Sequence, residues 1–370
     1  MSTTQQALTQ DLIKIRNRID QLDEEIQRLI NERAKCAQSV AEVKQRAGDS
    51  NANSASFYRP EREAQVLRKV MERNQGPLPA EEMARLFREI MSACLALEQP
   101  MRIAFFGPAG SYTHDAALKQ FGHSVMTVPH GTIDEVFRDV EAGLAHYGVV
   151  PIENSTEGVV NYTLDMFMNS PLQICGEVEL RIHHCLLSQE KTLASVKCVY
   201  AHQQSLAQCR EWLDEHYKDV PRIAVSNNAR AAQMAAKEQG AAAIASITAA
   251  ELYGLDALAC NIEDEPDNTT RFLVIGHASF PASGKDKTSI LFSIANRPGG
   301  LVKLIKPLSD AGISMTRIES RPSRRGVWEY VFFVDIEGHQ NTPVVAAALQ
   351  ALDGEAAMLK ILGSYPEAVL

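Results

Sequence analysis

The sequence lacks the features that would place it in a membrane, secreted or nucleic-acid-binding class. No stretch approaches the roughly 20 apolar residues of a membrane-spanning helix, and residues 1–11 are polar, unlike a secretory signal. The seven cysteines form no Cys-x-x-Cys pair, which disfavours a disulfide framework or a zinc site. The net charge of −9 argues against nucleic-acid binding. We expect a cytoplasmic protein with no membrane partner, nucleic-acid partner, metal or cofactor.

The length of 370 residues is too great for one ordinary core and predicts two or three domains. Residues 1–100 contain only helical patterns, and residues 101–280 alternate short β-type runs with helical stretches, which predicts an α/β domain of two lobes. Residues 287–370 follow the order βαββαβ, the ferredoxin-like arrangement. The predicted fold is therefore multidomain.

The first helical segment carries a heptad seam with alternating spacings of four and three residues. The seam comprises Ile15, Ile19, Leu22, Ile26, Leu29, Arg33, Cys36, Val40 and Val43. Two shorter helices are expected from about Pro60 and from about Ala80, after a polar break at residues 47–56. Three helices with one very long member cannot close a core alone, so we expect a homo-oligomer, a dimer or a tetramer.

Charged residues occupy apolar positions of these helices. Arg33 stands where a leucine is usual, and Lys44, eleven residues later, shares its face to within about 20°. Arg16 points about 100° away from Arg33, and Glu98 extends the apolar stripe of the third helix. Such charges reach out to solvent in many bundles. Several in one short segment favour a polar pocket for a small dianion.

Residues 8–98 resemble the all-helical chorismate mutase domain. The runs that carry the resemblance are LIKIRNRIDQLDEEIQRLINERAKCAQSVAEVK, YRPEREAQVL and LFREIMSACLALE. In that family two chains intertwine around two active sites.

The resemblance implies a role for each charged position of the helices. Arg33 and Lys44 bind the carboxylates and ether oxygen of chorismate, and Arg16 enters from the partner chain. Glu63 holds the ring hydroxyl and Arg62 lies near it. The sequence departs from the family at three positions: Cys94 replaces a common Ser, Glu98 a common Gln, and Arg59 a common acid.

Five polar runs mark the middle segment at predicted strand ends. They are GPAGSYTH (107–114), PIENSTEGVV (151–160), AHQQSLAQC (201–209), SNNARAA (226–232) and NTTRF (268–272). Any one of them alone is more often a turn or a helix cap than a binding site. Together, and in this order, they are similar to prephenate dehydratase, whose two lobes resemble periplasmic solute-binding proteins with the substrate in the cleft.

That resemblance assigns Thr270 to the leaving hydroxyl of prephenate and Arg271 to a carboxylate. It also implies further residues that bind substrate: Ser111, Thr113, Asn154, Ser155, Thr156, His202, Gln203, Ser205 and Phe272.

The C-terminal segment contains NRPGGLVKLI (296–305) and TRIESRPSR (316–324), which match the amino-acid-sensing ACT domain. By this resemblance, L-phenylalanine binds between two chains. The residues implied are Gly299, Gly300, Leu301, Val302, Glu319, Ser320, Arg321 and Pro322.

The three segments, in this order, resemble the bifunctional chorismate mutase–prephenate dehydratase family. The resemblance implies conversion of chorismate to prephenate and then to phenylpyruvate, with feedback inhibition by L-phenylalanine. Two alternatives stay open from the sequence. One is a non-catalytic amino-acid-binding regulator, and the other is a dehydratase that acts on arogenate and has a weak mutase.

Glu98 generates a pH prediction, because a Gln donates a hydrogen bond at any pH whereas a Glu donates only when protonated. We expect mutase activity to fall as pH rises and Glu98→Gln to abolish this fall. The initial rate of chorismate loss from acidic to alkaline pH measures both. An identical pH profile in the variant would remove Glu98 from the site.

Overall fold

The computed structural model describes residues 3–46, 58–293, 298–322 and 330–370, without the side chains of residues 3–9, 44 and 45. The polar break predicted at residues 47–56 lies outside the described residues. The N-terminal part consists of three helices, which confirms the all-α prediction. They are α1 (Thr3–Arg46), α2 (Pro60–Glu72) and α3 (Ala80–Ala96).

Helix α1 leaves most of its heptad seam open to solvent. Ile15 is 57% exposed, Ile26 52% and Val43 63%. Among the described helices of the N-terminal part, α3 packs on α1. Only a short stretch of α1, from Arg33 to the buried Ala41, is appreciably covered. A single chain therefore leaves this apolar face without a neighbour along most of its length.

Helices α2 and α3 are packed on the following domain. The ring of Tyr58, which precedes α2, is buried against Phe121 and Tyr147, with ring centroids 5.1 and 5.3 Å away. The Arg68 guanidinium donates to Ser283 Oγ at 3.0 Å and to the Lys285 carbonyl at 2.9 Å. Aromatic burial and these hydrogen bonds fix the helical hairpin against its neighbour.

The first lobe is built on a mixed sheet in the order β2-β1-β3-β11-β5, with β4 paired to β3. Strands β1 and β2, and β1 and β3, run parallel, whereas β11 is antiparallel to both of its neighbours. Numbered along the chain, the strands are β1 (Arg102–Phe106), β2 (Met126–His130), β3 (Tyr147–Asn154), β4 (Gly158–Val159), β5 (Gln173–Arg181) and β11 (Thr269–Gly276). The helices are α4 (Tyr112–Phe121), α5 (Ile133–Glu141) and α6 (Asn161–Asn169).

The second lobe has its own sheet, in the order β10-β6-β9-β7-β8. Its strands are β6 (Cys185–Ser188), β7 (Cys198–His202), β8 (Arg222–Val225), β9 (Ala241–Ala245) and β10 (Asp256–Cys260). Its helices are α7 (Gln203–Gln208), α8 (Arg210–His216), α9 (Asn228–Ala235) and α10 (Ile247–Tyr253). The chain crosses between the lobes twice, from β5 to β6 and from β10 to β11, which confirms the two-lobed α/β prediction.

The C-terminal part forms an antiparallel sheet in the order β13-β14-β12-β15. Its elements are β12 (Asp286–Ser293), α11 (Gly300–Asp310), β13 (Met315–Pro322), β14 (Tyr330–Glu337), α12 (Pro343–Glu355) and β15 (Met358–Pro366). This confirms the βαββαβ order. Helices α11 and α12 cover one face of the sheet, and Leu291, Phe333 and Leu362 on the other face join the core of the first lobe.

Within the described ranges, the structure contains no helix that is both long and apolar enough to cross a membrane.

Gly363 in β15 marks the closest approach of the C-terminal sheet to the first lobe. Its φ is +150°, and a Cβ built there would lie 2.2 Å from the Ile174 carbonyl oxygen. We expect Gly363→Ala to lower the free energy of unfolding by about 1–3 kcal/mol, because backbone atoms must move apart. Gly354→Ala in α12 is the matched control, since nothing lies within 4 Å of its Cβ. A smaller loss for Gly363→Ala than for Gly354→Ala in chemical denaturation would contradict this packing.

Candidate active sites

A cleft of about 670 Å³ lies between the two lobes. Strand ends and helix starts of both lobes form its walls, as expected where α/β sheets bind ligands. Six residues predicted from the sequence line it: Ser111, Thr113, Asn154, His202, Ser205 and Thr270.

Thr270 and Asn154 form a short hydrogen bond in the cleft. Asn154 Nδ2 donates to Thr270 Oγ1 at 2.7 Å and to Asn268 Oδ1 at 2.8 Å. Because the Thr270 oxygen accepts this bond, its own proton is free to point into the cleft. The arrangement provides an oriented hydroxyl donor.

The turn after β3 holds Asn154 in place. Asn154 Oδ1 accepts the backbone N–H groups of Thr156 and Glu157, both at 3.0 Å. Ser155 Oγ accepts the backbone N–H of Thr269 at 3.0 Å. Ser155 and Thr156 are exposed and do not line the cleft. They lie in the turn that supports Asn154, and their contact with substrate stays a prediction.

The opposite wall is organised by Asn228 at the start of α9. Asn228 Oδ1 accepts the His202 backbone N–H at 2.8 Å, and its Nδ2 donates to Ser205 Oγ at 2.7 Å. Gln203 is exposed, and its neighbour Gln204 lines the cleft instead. Consecutive side chains in the first turn of α7 point about 100° apart, and substrate binding by Gln203 stays a prediction.

The cleft offers neutral donors to an anion. Among the described residues that line it there is no lysine or arginine, and Glu157 is the one carboxylate. Helices α4 and α9 start at the cleft, with Ser111 and Asn227 as their capping residues. Backbone N–H groups at helix starts attract negative charge, so this wall suits a carboxylate without a cationic side chain.

Arg271 and Phe272 correct two sequence predictions. Successive side chains of a strand point to opposite faces, so Arg271 turns away from the cleft when Thr270 faces it. Its guanidinium pairs with Glu177 at 2.8 Å and with Asp335 at 2.6 Å. Phe272 is fully buried in the core of the first lobe. Neither side chain lines the cleft.

Gln208 is a cleft residue that sequence reasoning missed. Its Oε1 lies 2.9 Å from His184 Nε2, and its Nε2 is buried with no hydrogen-bond partner. His184 Nδ1 lies 2.6 Å from the Tyr112 hydroxyl, and burial lowers the pKa of His184. The Tyr112 hydroxyl also donates to the His183 carbonyl at 3.0 Å, so Tyr112, His184 and Gln208 form a chain of hydrogen bonds at the wall of the cleft. An amide inside a helical run carries no distinctive signal in a sequence.

The predicted mutase residues are spread over the helical part. Arg16 and Arg62 are exposed, Arg33 and Glu98 are half-buried and Cys94 is buried. The side chain of Lys44 lies outside the described residues.

Glu63 takes a position that the sequence did not predict. Its carboxylate pairs with Arg88 at 3.0 Å, and Arg88 also donates to the Lys119 carbonyl of the first lobe at 2.8 Å. Burial raises the pKa of Glu63, and the ion pair with Arg88 opposes that rise. Glu63 thus meets Arg88 in this chain, and its role toward the ring hydroxyl of a substrate stays a prediction.

The predicted effector residues lie at the start of α11 and along β13. Gly299 caps α11 with φ +75°, Gly300 is buried, and Val302 is 65% exposed. Glu319 is half-buried on β13, and Arg321 pairs with Asp165 of α6 at 2.8 Å. Of the remaining predicted effector residues, Leu301 is half-buried, and Ser320 and Pro322 are exposed.

Three family profiles match the chain in the order of its parts. They are chorismate mutase type II over residues 15–99, prephenate dehydratase over residues 103–279 and the ACT domain over residues 288–354. A bifunctional chorismate mutase/prephenate dehydratase from Stutzerimonas stutzeri is 58% identical over 357 residues, covering 96% of this chain and 98% of the relative. The chain belongs to the bifunctional chorismate mutase/prephenate dehydratase family.

Two solved structures are similar to the part of this family member that follows the helices. One is a prephenate dehydratase from Arthrobacter aurescens in complex with L-Phe, at 32% identity and TM-score 0.67, covering 72% of this chain and 90% of that one. The other is GqqA, described as a novel type of quorum-quenching acylase, at 34% identity and TM-score 0.67, covering 72% of this chain and 98% of that one. A shared fold does not fix a reaction, so the assignment rests on the full-length relative.

Thr270→Val tests the oriented hydroxyl. The substitution keeps the shape and removes the donor, so we expect dehydratase kcat to fall about 10²–10⁴-fold with little change in KM. Thr270→Ser keeps the donor and should stay within about tenfold of the original kcat. Equal losses in both variants, measured as phenylpyruvate formation from prephenate, would contradict a donor role.

Asp115 of α4 makes stability depend on pH. Burial raises its pKa to about 6, and the hydroxyls of Ser246 and Thr248 in the second lobe oppose the rise. A folded-state pKa above the unfolded value stabilises the fold at low pH, and this contribution is lost as pH rises through about 6. We expect Asp115→Asn to flatten the decline of the thermal midpoint across this range. A decline of equal size in both proteins would contradict the assignment.

Proposed function

We propose that the helical part carries the chorismate mutase activity of this bifunctional enzyme and that the cleft between the lobes carries its prephenate dehydratase activity. The enzyme acts in L-phenylalanine biosynthesis and is regulated by L-phenylalanine, for which we propose the site at residues 299–302 and 319–322. With this assignment the mutase domain ends near residue 100, the dehydratase domain ends near residue 280 and the regulatory domain begins near residue 287.

The observation that carries the dehydratase assignment is the hydrogen bond from Asn154 to Thr270. Prephenate loses its ring hydroxyl and carbon dioxide as the ring becomes aromatic, so hydroxide needs a donor as it leaves. Thr270 supplies that donor, oriented by Asn154 at 2.7 Å. A threonine is a poor acid, and its contribution is to orient and stabilise the departing oxygen.

The substrate carboxylates are held by neutral donors. Gln208 and the starts of α4 and α9 lie at the cleft. These groups stabilise both carboxylates of prephenate, of which the ring carboxylate leaves as carbon dioxide and the side-chain carboxylate remains in phenylpyruvate. Arg271 has no part in this binding, because its guanidinium lies on the other face of β11.

The mutase reaction is a pericyclic rearrangement, for which an enzyme needs only to fold the substrate and stabilise charge on the ether oxygen. Arg33 and Lys44 hold chorismate from one chain, with Glu63, Arg62, Cys94 and Glu98 around the ring, and Arg16 reaches in from a second chain. The exposed seam of α1 supports a homo-oligomer, because about half the surface of Ile15 and Ile26 is otherwise open to water. The seven free cysteines suit a reducing compartment such as the cytoplasm.

The test is to supply the purified enzyme with chorismate alone and to follow chorismate and phenylpyruvate, with and without L-phenylalanine. We expect phenylpyruvate without added factors and its suppression by L-phenylalanine. Thr270→Val is the control, since it should accumulate prephenate.

Arogenate supplied in parallel separates the remaining alternative. Conversion of arogenate in preference to prephenate would assign the cleft to that substrate. Absence of turnover of both compounds would contradict the dehydratase assignment.

A further inference from the structure

Strands β3 and β11 each place a cleft residue beside a residue that contacts the C-terminal sheet. On β3 the pair is Glu153 and Asn154, and on β11 it is Thr270 and Arg271. The strands are neighbours, with Asn154 opposite Thr270 and Glu153 opposite Arg271. Because side chains alternate along a strand, the two cleft residues share one face and the two contact residues share the other.

Arg271 is held by both the first lobe and the C-terminal sheet. Its Nε donates to Glu177 Oε2 of β5 at 2.8 Å. Its Nη1 donates to Asp335 of β14 at 2.6 Å, and its Nη2 donates to the Tyr365 hydroxyl of β15 at 3.0 Å. Ser289 of β12 completes the network by donating to Asp335 at 2.5 Å. Two strands of the C-terminal sheet thus contact the residue that follows Thr270, and β12 supports this contact through Ser289.

The charges in this network are balanced and buried. Lys287 of β12 donates to Glu177 Oε1 at 2.8 Å, so two cations face two carboxylates. The side chains of Glu177 and Asp335 are 1% and 7% exposed. Buried, fully paired charges tolerate few alternative geometries, because any displacement leaves a charge unpaired.

Glu153 is held by Arg317 of β13. Arg317 Nε lies 3.0 Å from Glu153 Oε2, with the Arg317 side chain 10% exposed. The same Nε and the Nη2 of Arg317 have no aligned hydrogen-bond acceptor. Arg317 and Glu153 therefore attract each other by charge without an aligned hydrogen bond. Arg271, in contrast, makes aligned hydrogen bonds with all three of its nitrogens. Arg317 lies two residues before Glu319, on the strand that also carries the predicted effector residues.

The register between β3 and β11 is irregular at this point. Arg271 pairs with Glu153 but Phe272 pairs with Pro151, which leaves Ile152 as an extra residue in β3. Such bulges occur next to active sites and let a strand bend locally. The strand pair can thus change its twist beside Asn154 and Thr270 without losing its remaining pairing.

We infer that Glu153 and Arg271 are positioning residues through which the C-terminal sheet sets the distance between Asn154 and Thr270. The inference rests on the proposed function, because it takes L-phenylalanine as the effector of that sheet. A shift of β13 moves Arg317 and Glu153, and with them the backbone of Asn154. The Asn154–Thr270 bond at 2.7 Å then lengthens and the hydroxyl loses its orientation. Inhibition should therefore lower dehydratase kcat more than it raises KM.

The test uses Arg317→Met and Glu153→Gln in the full-length enzyme. Two quantities are measured for each: L-phenylalanine binding by equilibrium dialysis, and the L-phenylalanine concentration that halves dehydratase activity. We expect binding within about threefold of the original enzyme and half-inhibition at a concentration at least about tenfold higher. In the double variant the concentration for half-inhibition should rise no further than in the single variant with the larger rise. The reason is that both substitutions remove the same interaction.

Lys360→Met is the matched control. Lys360 of β15 donates to the carbonyls of Phe167 and Ser170 at 2.8 and 2.6 Å, so it joins the same two parts away from β3 and β11. We expect it to keep normal inhibition. Loss of inhibition in this variant equal to that in Arg317→Met would overturn the inference, since any weakened contact would then suffice.

The outcomes separate the inference from the proposed function. An original enzyme that L-phenylalanine does not inhibit contradicts the proposed regulation itself. If L-phenylalanine inhibits both the original enzyme and Glu153→Gln normally, the inference is overturned while the proposed regulation stands. Should Arg317→Met fold poorly or bind no L-phenylalanine, Glu153→Gln decides, because it lies in the first lobe and keeps a polar side chain of the same shape.

Discussion

The alternation of side chains along β3 and β11 is the constraint on which the rest of the structure depends. Both faces of these strands are in use: one presents Asn154 and Thr270 to the cleft, and the other presents Glu153 and Arg271 to the C-terminal sheet. Neither face can move independently, because one backbone carries both. The Thr270 hydroxyl and the contact with the C-terminal sheet are thereby joined through adjacent residues.

The two activities call for two ways of holding a dianion. In the proposed mutase site, Arg33 on the apolar seam and the neighbouring cations attract charge directly, and we propose that a second chain completes the pocket. The cleft of the dehydratase offers amides, hydroxyls and helix starts, and its cations lie behind the strand in ion pairs. Neutral donors hold a carboxylate without making its departure as carbon dioxide more difficult, whereas a paired guanidinium would stabilise the charge that must be lost.

The order of the parts and most strands could be predicted from the sequence, because hydrophobic periods of 2.0 and 3.6 residues differ clearly. Strand β5 was missed, since Glu177, Glu179 and Arg181 interrupt its apolar run. The ion pairs of Glu177 with Arg271 and Lys287, which explain a buried acid there, depend on the fold. Thr270, Arg271 and Phe272 were assigned to one site by resemblance, whereas the strand places their side chains in a cleft, an ion-pair network and a core. The pairing of Glu63 with Arg88 depends on how α2 and α3 pack against each other and against the first lobe. No local sequence pattern predicts such packing.

Hydrogen–deuterium exchange with and without L-phenylalanine is the most direct measurement of the coupling. The account predicts that L-phenylalanine changes exchange in residues 147–154 and 269–276, together with residues 315–322 of β13. A change confined to the C-terminal sheet, with β3 and β11 unaffected while dehydratase activity is inhibited, would contradict it.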